Sequence, residues 1–142
     1  MADKLFLMKT FLFVFIVMLF CSCGGPGSVI SKQLSGSDSL VIHFNIPQTN
    51  NIDKTVTTTE NAAIKKLINY VDSKSTEAYK CGYDGNLLFY KKGILQGDVS
   101  FNYSGEGCHH FILEVNGKLN PTAMSNEAAS FLKSLAEGKS WY

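Results

Sequence analysis

The chain reads as an α+β domain: an antiparallel β-meander of about four to six strands with two helices packed on one face. Two observations carry this. Four turn signals, Asp84-Gly85, Lys92-Gly93, Ser104-Gly105-Glu106-Gly107 and Asn116-Gly117, punctuate a stretch rich in β-branched and aromatic residues. On either side of it, apolar residues recur at helical rather than alternating spacing.

The elements follow in order. Leu40, Ile42, Phe44 and Ile46 alternate with Val41, His43 and Asn45, which is the pattern of a half-buried strand that Pro47 ends. Threonine-rich Lys54–Thr59 reads as a short edge strand. Thr57 and Glu60 fit a capping box. Ala63, Ile64, Leu67, Ile68 and Val71 then make one face of a helix running to Asp72. The expected meander comprises Glu77–Gly82, Asn86–Lys91, Ile94–Tyr103, Cys108–Val115 and a short Lys118-Leu119 strand stopping before Pro121. Ser125 caps a second helix, whose stripe is Ala128, Phe131, Leu132 and Leu135 and whose stop is Gly138.

The start of the chain has a different chemistry. Lys4 and Lys9 precede ten apolar residues, Phe11 to Phe20, a run too short to span a bilayer. Cys21-Ser22-Cys23-Gly24-Gly25 follows. Basic, apolar and small-residue segments in that order are those of an export signal. Cleavage before Cys21 would place bulky Phe20 in the peptidase pocket, whereas cleavage before Cys23 places Ser22 there. Leu19-Phe20-Cys21-Ser22-Cys23 thus resembles the lipobox of bacterial lipoproteins, over residues 8 to 25. Met8 then serves equally well as a start. The resemblance implies a diacylglycerol on the Cys23 sulfur and an acyl chain, such as palmitate, on its amino group. It also implies an envelope location. Gly24 is not the aspartate that retains such proteins at the inner membrane, so the expectation is an outer-membrane anchor facing the periplasm. The expected layout is a signal peptide over 1–22, a lipidated N-terminus and flexible tether over 23–38, and one globular domain over 39–142.

From Cys23 onward the chain has 120 residues, enough for one core and too few for two. Removing Asp3, Lys4 and Lys9 leaves 11 lysines against 11 acidic residues, and the chain contains no arginine. A neutral domain without arginine lacks the usual means of gripping phosphate, so nucleic acid is not an expected partner. The expected partners are the membrane, through the lipid, and an envelope protein or cell-wall component.

Cys81 and Cys108 are the remaining cysteines of the domain, and an oxidising compartment favours their pairing. In a flat sequential meander, however, three strand spacings of about 4.7 Å each separate them. A disulfide needs Cα atoms within roughly 7 Å. Either the sheet curls, the strand order is not sequential, or the thiols are free.

Cys108-His109-His110 offers zinc-ligand chemistry. On a strand, however, successive side chains point to opposite faces, so the two imidazoles cannot easily share an ion. A metal site would need His43 or Glu114 brought in from elsewhere. The expectation is therefore no metal, no cofactor and no nameable catalytic residue. Tyr83, Tyr90 and Trp141 are the aromatics that would serve a partner surface if exposed. Tyr79-Lys80-Cys81, with Asp84-Gly85 and Leu87-Leu88-Phe89, resembles the opening of periplasmic C-type lysozyme inhibitors. That likeness implies an all-β barrel and inhibition of a cell-wall hydrolase.

Three readings of function follow: a non-catalytic binding or scaffolding domain on a lipid anchor, a hydrolase inhibitor, and a metal or enzymatic domain using Cys108, His109 and His110.

Overall fold

The computed structural model describes residues 28–78 and 80–141. Six strands form one antiparallel sheet: β1 (Ser39–Asn45), β2 (Ile52–Thr58), β3 (Gly85–Lys91), β4 (Ile94–Asn102), β5 (His110–Val115) and β6 (Lys118–Ala123). Their order is β2-β1-β3-β4-β5-β6. Three helices accompany them among the described residues: α1 (Val29–Leu34), α2 (Asn61–Val71) and α3 (Asn126–Ala136). The fold is α+β with an open sheet. One pairing is not local, because β1 returns to β3 after the β2 hairpin and α2 have intervened.

Alternation decides which face is buried. Leu40, Ile42 and Phe44 of β1 line one face with Leu87 and Phe89 of β3, Val99 and Phe101 of β4, and Phe111 and Leu113 of β5. Ile64, Leu67 and Val71 of α2 join the same cluster, as do Ala128, Leu132 and Leu135 of α3. All three helices therefore cover the same side of the sheet. Fully burying each such large side chain contributes about 1.5–3 kcal/mol, which is why this pattern dominates the fold.

α1 was not expected. Residues 28–38 read as tether, yet Ile30 and Leu34 are buried in the core. The Ser28 side chain accepts from the Ser31 N–H at 3.0 Å and caps the helix. Gly36, at φ +76°, stops it in the left-handed conformation. Ser35-Gly36-Ser37 is thus a helix terminator whose composition imitates a linker. Gly97 makes room for the helix, since a Cβ there would lie 2.5 Å from Leu34 Cδ2.

Three further expectations are corrected. The capping box at Thr57 and Glu60 does not form: Glu60 is the N-cap without a side-chain capping bond, and the Thr58 hydroxyl accepts from its N–H at 3.1 Å. Asp84-Gly85 is not a hairpin turn, because neither residue has the positive φ that a type I′ turn requires. Lys92-Gly93 and Asn116-Gly117 do have it, at φ 50° and 76° and at 52° and 75°. Finally, β6 runs through Pro121 to Ala123. Pro121 lacks an N–H to donate, and an edge strand tolerates that.

Among the described residues of Glu77–Gly82 the expected strand is also absent. Its neighbourhood crosses the end of the sheet instead. At the β6 edge the Thr76 N–H donates to Pro121 O and Ala123 N–H to Lys74 O, at 3.1 and 2.8 Å. At the other side, Asp84 N–H donates to Phe101 O and Asn45 N–H to Asp84 O, both at 2.8 Å.

α3 matches its expectation, with Ser125 accepting from Ala128 N–H at 3.1 Å and Gly138 at φ +86°. Its C-terminal end has a further partner. The Lys54 ammonium, on the inner side of β2, donates to Leu135 O and Ala136 O at 2.9 and 3.0 Å. A cation there satisfies carbonyls that the helix itself leaves open.

Candidate functional site

The chemistry-bearing residues gather at the end of the sheet where β1 and β4 finish and β3 and β5 begin. Cys81 and Cys108 are bonded there, with Cα atoms 6.1 Å apart. The spacing problem is resolved because Cys81 lies on no strand. The crossing segment carries it over β4 to the loop that precedes β5. The disulfide stands, and Cys108 has no thiolate to offer a metal while the bond is intact.

Two polar side chains staple the same loops. The Asn102 amide donates to Cys81 O and Gly82 O at 3.3 and 3.2 Å, and its carbonyl oxygen accepts from Gly105 N–H at 3.0 Å. Asp84 accepts from the Tyr103 N–H at 2.7 Å, the Ser104 N–H at 2.8 Å and the Ser104 hydroxyl at 2.7 Å. Neither residue stood out in the sequence. The only signal was Asp84 itself, and its pairing with Gly85 imitated a hairpin.

His109 and His110 point to opposite faces, as strand alternation requires. His110 lies on the outer face and is fully buried, with its ring edge-on to Tyr83 at 6.3 Å. Its Nδ1 sits 2.5 Å from Cys108 O. A carbonyl only accepts, so that nitrogen carries the hydrogen. His109 is half-buried on the helix side. There it lines a recess of about 240 Å³ with Tyr103, Asn126, Ala129, Ser130 and Lys133. The Tyr103 phenol is pushed above its ordinary value by burial first, then by the charges of Asp84 and Glu137. His43 pairs across to Asn86 and Thr55, and Glu114 to Leu119, both away from the histidine pair. Among the described residues no three His, Cys, Asp or Glu side chains are placed to hold a metal ion.

The three aromatics separate. Tyr83 is 44% exposed beside the disulfide, close to the exposed Ile46 and Ile52 at the same end of the sheet. Tyr90 is half-buried on the outer face of β3. Trp141 is half-buried against the helices, 6.0 Å from Phe131, whose ring also meets Tyr70 at 5.9 Å and the Lys66 ammonium at 4.2 Å. It is packing rather than a free surface.

This cluster makes a pH prediction. The Tyr70 hydroxyl donates to Glu127 Oε1 at 2.7 Å. Burial, then that hydrogen bond, then the Glu127 charge push its pKa from 10.0 up to about 12. The folded state favours the neutral phenol. Its contribution to stability is therefore complete below pH 10 and is lost as the pH rises through 12. In a spectrophotometric titration, Tyr70→Phe removes a late-ionising phenol, and Glu127→Gln moves it to lower pH. A titration curve that neither variant changes contradicts the assignment.

The fold and end-on site define a small disulfide-stapled α+β domain. No family model, no curated protein and no solved structure matches the chain. The barrel that the lysozyme-inhibitor resemblance implies is not this fold, which is an open sheet with helices on one face.

Proposed function

We propose that this chain is a lipid-anchored envelope lipoprotein, exported and acylated on Cys23, whose domain is a small non-catalytic binding or scaffolding module. The observation that carries the reading is the Cys81–Cys108 bond. A disulfide that staples two loops together persists in oxidising compartments, and Lys9, the Phe11–Phe20 run and Ser22-Cys23 address the chain to one. The binding end is the one that the disulfide holds, where Tyr83, Ile46 and Ile52 offer exposed aromatic and apolar surface to an envelope protein or cell-wall component. The location is the periplasmic face of the outer membrane.

Metabolic labelling with a palmitate analogue tests the anchor. Wild type and Cys21→Ala take up label and fractionate with membranes. Cys23→Ala takes up none and becomes soluble. Label retained by Cys23→Ala overturns the reading.

A further inference from the structure

We infer that the recess between α3 and the β4–β5 loop is a binding site for a small organic carboxylate, either the C-terminal end of a peptide or a free carboxylic acid. It lies on the helix side of the sheet, whereas the contact of Tyr83 with His110 lies on the outer side. The inference goes beyond the binding end already described and does not depend on the anchor.

Two elements build the recess. Asn126, Ser130 and Lys133 stand at i, i+4 and i+7 on α3, so they share one face of the helix. Tyr103 and His109 come from the sheet and bracket the loop between β4 and β5. That loop is fixed at three points. Asp84 holds the Tyr103 and Ser104 N–H groups, Asn102 holds the Gly105 N–H, and Cys108 is bonded to Cys81. His109 O accepts from Met124 N–H at 3.0 Å, which sets the loop against the start of α3. The Tyr103 ring stacks on Phe101 with centroids 5.9 Å apart. The backbone that carries the two sheet-side residues is therefore held before any ligand arrives.

The lining has one chemical character. Buried Ala129 and the half-buried Tyr103 ring supply apolar surface. Around them stand the Lys133 ammonium, the Ser130 hydroxyl, the Asn126 amide, the His109 imidazole and the Tyr103 phenol. Among the described residues none of these five polar groups has a hydrogen bond or ion pair within the protein. All five can donate, and the one formal charge among them is positive. The carboxylates nearby are already engaged: Glu137 pairs with Lys139 at 2.9 Å, and Asp84 takes three donors of the loop. Donors around a cation, beside apolar surface, suit a carboxylate carried on a small apolar body. With no arginine in the chain, no bidentate fork is present to grip a phosphate. The recess of about 240 Å³ is smaller than sites that enclose drug-sized molecules, so the ligand is small or enters by one end.

Titration of the isotope-labelled full chain in detergent, followed by amide chemical shifts, tests this. The probes are N-acetyl-alanyl-alanine, the same dipeptide with its carboxylate converted to an amide, acetate and inorganic phosphate. The dipeptide and acetate are expected to shift His109, Asn126, Ser130 and Lys133. The amidated dipeptide binds about tenfold more weakly, because it forfeits the charge-assisted bonds. Lys133→Gln weakens the dipeptide by a similar factor and Ser130→Ala by less. Both variants keep the wild-type unfolding midpoint, because both positions are exposed. Dipeptide binding tighter than acetate assigns the site to a peptide end, and equal binding assigns it to a free acid. Phosphate binding tighter than either overturns the carboxylate assignment. Affinity unchanged in Lys133→Gln, or no shift at the four residues with any probe, overturns the site.

Discussion

Gly85→Ala is expected to destabilise the domain by about 2–3 kcal/mol, the upper part of the range for forcing atoms into a packed interior. A Cβ at this position would lie 2.0 Å from His43 O and 2.7 Å from Phe101 Cζ. The carbonyl cannot give way cheaply. Gly85 opposes Phe44 where β1 and β3 pair, and the next residue, Asn45, is bonded to Asp84 O. Relief would pull apart the one non-local pairing of the sheet and the loop that brings Cys81 to Cys108. Gly97→Ala is the informative contrast. Its nearest obstacle is the tip of the Leu34 side chain, which can rotate, so a smaller loss is expected. Urea unfolding measures both: the midpoint falls for each variant and falls further for Gly85→Ala, with the slope unchanged. A Gly85→Ala domain as stable as wild type would contradict the close approach.

Removing the disulfide is expected to cost about 3–4 kcal/mol in the chain-entropy description of a loop of this length. Cys81 and Cys108 are 27 positions apart in sequence. That loss is a large fraction of the roughly 5–15 kcal/mol that holds a domain together. Cys81→Ser with Cys108→Ser, and chemical reduction of the wild type, should lower the unfolding midpoint alike. The effect has a local signature as well. With the staple gone, Asn102 and Asp84 hold the crossing segment alone, so amide exchange across residues 102–110 should accelerate more than in β1. An unchanged midpoint after reduction would refute the stabilising role.

Strands and helices whose residues alternate or recur with a clear period were readable directly. β1, β3, β4, α2 and α3 lie where their apolar spacing put them, because those side chains share one buried face and the period records which residues do so. The errors cluster where one composition serves two structures. Ser35-Gly36-Ser37 has the makeup of a linker and ends a helix. Asp84-Gly85 has the makeup of a hairpin turn, yet Asp84 binds three donors across the loop and Gly85 is there for lack of space. Glu77–Gly82 was expected as a strand, but its neighbours find partners on β6 and β4 that a local reading cannot supply.

The candidate site divides in the same way. Alternation alone separated His109 from His110, and the residue types alone nominated Cys81 and Cys108 as a pair. Exposure was not readable: Tyr83 is open and Trp141 is packed on Phe131, although both are aromatic residues in polar surroundings.

By itself the sequence determined the α+β class, the periodic elements, the charge balance and the expectation of an exported, anchored chain, because each depends on residues close together in the chain. The tertiary structure alone decided that α1 belongs to the core, that β1 returns to β3, and that Cys81 reaches Cys108. Each of these depends on segments distant in sequence meeting in space, and it is the shared buried face, rather than any local signal, that brings them together.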